Sequence, residues 1–228
     1  MSGFEGDYFS DGDWDERSEL TWNEFDWQQY LKSNEHEAAR FLSLYQKFRD
    51  KPDRLDRIAR MLGWDREDWA PSGDEAGEEA DLVEALEDEG EAEDLEPYTV
   101  HKHPVFVVTH SLYQYVYTCW DQFTALNSRA LNPSVVWRFG SSLHAGEMNA
   151  VMAVNALDLG DYSLTVCHLK NALGALNHSL RIIQELPTSN PRRLSRFQAD
   201  MQAVFFDLRE TWLRVMADCR EEARRRRD

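Results

Sequence analysis

Cysteine is scarce, with three in 228 residues. Cys119, Cys167 and Cys219 fall on three separate amphipathic stretches without CxxC spacing, which excludes a disulfide framework and a cysteine zinc site. Each reads as a small packing residue. Positive charge is scarce too: 25 Lys and Arg stand against 42 Asp and Glu, for a net charge of −17. Nucleic acid and anionic membrane surfaces select for clustered Lys and Arg, so neither is expected as a partner. Long apolar runs are missing. The most apolar segment, starting at Val105, is interrupted by His110, Gln114 and Asp121, and the opening residues lack the basic and apolar regions of a secretory signal. A cytoplasmic protein is the expectation. There is no Gly-rich phosphate loop, no Gly-x-Ser-x-Gly elbow and no Cys/His nucleophile pair. Catalysis has no motif to rest on and no cofactor is implied, so the pattern points to binding.

What is present divides near Pro97. Residues 1–100 hold 30 acidic against 10 basic residues, whereas the remainder holds 12 against 15. The second part repeats apolar residues at alternating intervals of four and three, the period of helices packed nearly parallel. Four such stripes are visible. The first runs from Val105 through Leu112, Val116, Cys119 and Phe123 to Leu126, and the second through Val136, Gly140, Leu143, Glu147, Ala150 and Val154. The third follows Tyr162, Val166, Leu169, Leu173, Leu176, Leu180 and Ile183; the fourth follows Leu194, Phe197, Met201, Val204, Leu208, Thr211 and Val215. Pro104, Asn132-Pro133, Leu159-Gly160-Asp161 and the stretch from Pro187 to Pro191 punctuate them. Short connections force antiparallel neighbours. The expected fold is all-α: an antiparallel up-down-up-down four-helix bundle over residues 100–228, preceded by a small acidic helical N-terminal region.

That region, residues 1–70, is expected to hold three short helices. A capping box at Thr21-Trp22-Asn23-Glu24 opens one toward Ser33, a second carries Ala38, Phe41, Leu42, Tyr45 and Phe48, and a third runs from Pro52 to a stop at Gly63. Together they are near the lower limit for an independent core, so they should dock on the bundle or on a partner. Residues 71–99 read as an acidic linker, with 13 acidic residues among the 23 from Asp74 to Glu96.

Two groups of residues are candidates for function. Trp14, Trp22, Phe25, Trp27 and Tyr30 alternate with Asp and Glu, a composition suited to placing aromatic anchors in a groove with a basic rim. A protein partner with a basic surface, or the Arg-rich fourth helix itself, is the expected counterpart. The second group is His144, Glu147 and Tyr117. His144 and Glu147 share one helix face, and counting from the turns sets Glu147 level with Tyr117 and Gln202. A carboxylate in an apolar layer must be hydrogen-bonded or line a pocket. One carboxylate with one flanking imidazole is too few ligands for a dedicated metal site, so metal at His144 and Glu147 is the lesser alternative. Asp11-Gly-Asp13-Trp-Asp15 resembles the opening of a calcium loop, but Glu16 and Trp22 occupy positions that need Gly and an acid. The leading reading is a non-enzymatic scaffold whose acidic aromatic arm binds positive charge. An internal small-molecule or metal site is the first alternative, and an acidic mimic of nucleic acid the second.

Overall fold

A computed structural model of the protein describes residues 22–64, 99–187 and 190–226. Among these the chain is all-helical, with six α-helices and one short 3-10 turn, Val100–Lys102. The helices are α1 (Glu24–Lys47), α2 (Arg54–Met61), α3 (Pro104–Asn127), α4 (Pro133–Asp158), α5 (Tyr162–Gln184) and α6 (Pro191–Arg225). Contacts divide the chain into two compact units, Met1–His36 and Glu37–Asp228.

Helix starts follow local chemistry. His103, Asn132 and Asn190 each accept a hydrogen bond from a first-turn backbone N–H and are followed by proline, whose missing N–H costs nothing at that position. Asp161 caps α5 through Leu164 N. Gly63 after α2 and Gly160 after α4 take positive φ, which few other residues tolerate.

The N-terminal region differs from expectation. The two helices foreseen on either side of Ser33 are one continuous helix, α1, because Ser33 and Asn34 are followed by good helix formers with no Gly or Pro to break the chain. Its capping box lies two residues later than the sequence suggested. Asn23 Oδ1 accepts from Phe25 N and Asp26 N, while Asp26 accepts from Asn23 N at 2.9 Å. Among the described residues, two helices, α1 and α2, therefore precede α3 to α6 in place of three short pieces. The acidic linker, apart from Thr99, lies outside the described residues.

Within Glu37–Asp228, α3 lies against α4 and α6, and α5 lies against α4 and α6. Each neighbouring pair runs antiparallel. Tyr117 meets Glu147, Ser142 meets Ser179, Gln198 reaches Ile183 and Trp212 donates to Thr109 at 3.1 Å. The end of α1 and all of α2 join the same core through Phe41, Tyr45, Phe48, Leu55 and Ile58. They are also fastened to α6 by charge. Asp200, Asp207 and Arg214, spaced seven apart on α6, pair with Arg49, Arg54 and Asp56. The central pair is bidentate, at 2.7 and 2.8 Å, and the Tyr45 hydroxyl donates to the same Asp207 carboxylate. Burial, then the adjacent Asp207 charge, holds the Tyr45 phenol well above its ordinary range.

The buried faces are broader than the stripes, and α4 is turned by about one position. Phe139, Ser142, Gly146 and Ala153 are buried, whereas Val136, Gly140 and Glu147 of the expected stripe are half-buried. The bulk of Phe139, in contact with Trp120 at 4.2 Å between ring centres, takes the centre and moves Glu147 to the edge. On α3, Leu126 is exposed and Trp120 is buried for the same reason.

Candidate functional site

A trough of about 920 Å³ opens between α3 and α4. Trp120, Leu131, Pro133 and Val136 form its apolar lining, and Trp137 stands at its lip with 77% of its surface exposed. Gly140 contributes no side chain to the wall, and a methyl group there would meet no atom within 4 Å. Asp121, Ser128, Ser141 and His144 supply the polar rim. A large exposed indole beside an apolar concavity is the surface pattern of a recognition site.

Tyr117, in the trough lining, also belongs to a half-buried polar cluster. It donates its hydroxyl to Glu147 Oε2 at 2.9 Å; His110 Nδ1 lies 3.5 Å from Glu147 Oε1. Gln114 Nε2 lies 2.9 Å from His110 Nε2, one helical turn away on α3. Burial, together with the charge and hydrogen bond of Glu147, raises the Tyr117 phenol above its ordinary range. Glu147 is thus a half-buried carboxylate already engaged by Tyr117, with an imidazole close by.

Of the residues singled out by sequence, Tyr117 and Glu147 meet, while the exposed His144 lies on the rim of the trough and not on the carboxylate. His110, which in the sequence only interrupts the apolar segment from Val105, lies beside Glu147. The available signal was its spacing of seven from Tyr117, one heptad along α3. His103 caps α3 through Val105 N, and His101 packs edge-on against Phe106. Burial, with His110 nearby, holds the His101 imidazole below its ordinary range. Among the described residues no three His, Cys, Asp or Glu side chains converge in a metal-binding arrangement.

In the N-terminal unit, Trp22, Trp27 and Tyr30 pack edge to face, with ring centres 5.0 to 5.9 Å apart. Tyr30 is buried, while Trp27 is partly exposed and Phe25 projects with 70% of its surface free. The structure thus brings three of the five aromatic candidates together and sets Phe25 apart. Trp14 and the Asp11 to Asp15 segment lie outside the described residues. No helix among the described residues is long and apolar enough to cross a membrane.

No protein-family model matches the chain, and no curated protein or solved structure matches it either.

Proposed function

We propose that the protein is a non-enzymatic helical interaction scaffold of the cytoplasm, and that the trough between α3 and α4 seats an apolar segment of a protein partner. One observation carries this reading: an apolar concavity with Trp137 exposed at its lip. Aromatic anchors beside a desolvated pocket supply most of the energy in protein recognition. The layout that supports it is an up-down-up-down four-helix bundle, α3 to α6. Its antiparallel contacts hold the trough walls on rigid elements. The acidic aromatic segment of residues 1–70 provides a second contact, to a basic surface, through exposed side chains such as Phe25 and Trp27.

A test uses the full chain and a neutral amphipathic peptide carrying Leu and Phe on one face. Hydrogen exchange should slow along α3 and α4 on adding the peptide, and Gly140→Trp, which fills the trough, should abolish that response. Protection elsewhere, or an unchanged response in the Gly140→Trp protein, overturns the reading.

The meeting of Tyr117, Glu147 and His110 beside the trough favours a second reading, a small polar ligand with an apolar body, held at the Tyr117 end. Glu147→Gln separates the two. It should leave peptide binding unchanged and would abolish the binding of such a ligand.

A further inference from the structure

The arginines of the helical body are unevenly placed. Phe123 of α3, Phe139 of α4 and Phe197 of α6 form an aromatic layer with Trp120. Gln198 beside it binds the Ile183 carbonyl of α5, so all four long helices are level there. Beyond that layer lie residues 124–138 and 181–196. They carry six arginines, Arg129, Arg138, Arg181, Arg192, Arg193 and Arg196, against the single carboxylate Glu185.

These arginines are not explained by folding. Arg225 and Arg226 at the far end of α6 are engaged by Glu221, Glu222, Gly160 and Tyr162. Among the described residues, Arg129, Arg138, Arg192, Arg193 and Arg196 face no carboxylate. Moreover, Arg192 and Arg193 sit in the first turn of α6, which has no acidic residue and where the helix dipole disfavours positive charge. Those two arginines weaken the helix start that carries them, and no side-chain bond of theirs among the described residues offsets that cost. The cluster also adjoins the trough: Arg138 lines a neighbouring groove together with Trp137, and Arg129 lies in the turn between Ser128 and Leu131 of the trough lining, whose carboxylate is Asp121.

We propose that this end of the helical body docks an acidic protein segment, whose apolar side chain enters the trough while its carboxylates meet the arginine cluster. The inference rests on the trough reading above and adds the chemistry of the partner. Charge complementarity selects an anionic segment, and the adjoining apolar concavity selects a protein over a nucleic acid, whose contacts here would be to phosphate alone.

The test measures fluorescence anisotropy of a labelled synthetic peptide added to the full chain. Its sequence is that of residues 74–96, with 13 acidic residues plus Leu82, Val83, Leu86 and Leu95. Binding is expected, weaker by about tenfold at about 300 mM salt than at about 50 mM. The protein with Arg192→Gln, Arg193→Gln and Arg196→Gln should bind about tenfold more weakly, and so should wild type given the peptide with every Asp and Glu amidated. These arginines are exposed, so the variant should keep its fold, as its melting curve would show. Equal binding of the amidated peptide overturns the inference and leaves the trough reading standing. Binding of neither peptide overturns the inference, and the trough reading falls with it only if the neutral Leu and Phe peptide also leaves α3 and α4 unprotected. A single-stranded oligonucleotide that binds the arginine cluster, indifferent to Trp137→Ala, assigns the surface to nucleic acid and overturns the proposal.

Discussion

The two sides of α4 are built from the same small residues and behave in opposite ways. Toward α5, Ser142 and Gly146 give a close seam: Ser142 donates to the Ala175 carbonyl and accepts from Ser179 at 2.9 Å, and the Gly146 backbone lies near the Ala175 methyl. Toward α3, Gly140 and Ser141 border the trough. The difference lies in the facing helix. Across one seam α5 presents Ala175 and Ser179, so small meets small and only a smaller groove of about 390 Å³ is left there; across the other, α3 presents Tyr117 and Trp120, whose rings stand between the helices. A run of small residues permits closeness, but only the partner decides whether it closes.

A third seam, between α6 and the α1–α2 pair, is held by charge, and breaking it tests whether packing or pairing matters more. Asp207→Ala strands the Arg54 guanidinium and the Tyr45 hydroxyl in a largely buried setting, and should cost about 3–5 kcal/mol in urea unfolding. A loss below about 1 kcal/mol would show that apolar contacts alone secure α1 and α2.

Next come the glycines that define the contrast on α4. Gly146 lies between both seams: a methyl group there would overlap Tyr113 Oη of α3 and touch the Ala175 methyl of α5, so Gly146→Ala should destabilise by about 1–3 kcal/mol, because Tyr113 is buried and has little room to move. Gly140→Ala, on the open side, meets no atom within 4 Å and should stabilise by about 0.5–1 kcal/mol through helix propensity. Opposite signs in thermal or chemical melts sharpen the comparison; equal signs break it. Smallest is Trp137→Ala, expected within about 0.5 kcal/mol of wild type because its indole is mostly exposed, even as it weakens peptide binding to the trough.

Much of this architecture was legible in the chain. Proline after a capping residue marks the starts of α3, α4 and α6, and glycine at positive φ closes α2 and α4; these are local preferences that act through neighbouring residues. The bond between Tyr117 and Glu147 was foreseeable as well, because antiparallel helices joined by a short turn set their levels by counting. The continuity of α1 was harder to see, since Ser33 and Asn34 resemble a stop yet are tolerated within a helix. No local pattern could pair Arg54 with Asp207, 153 positions away, whereas His110 beside Glu147 could have been read from its heptad spacing to Tyr117.

By itself, then, the sequence determined helix, turn and the unequal distribution of charge along the chain, all governed by bonds and repeats within a few residues. Only the tertiary structure decided that Phe139 displaces Glu147 to the edge of the core, that one side of α4 closes and the other opens, and that six arginines from two separate segments share one end. Those outcomes depend on the bulk and charge of residues brought together from distant positions, which periodicity along one helix does not encode.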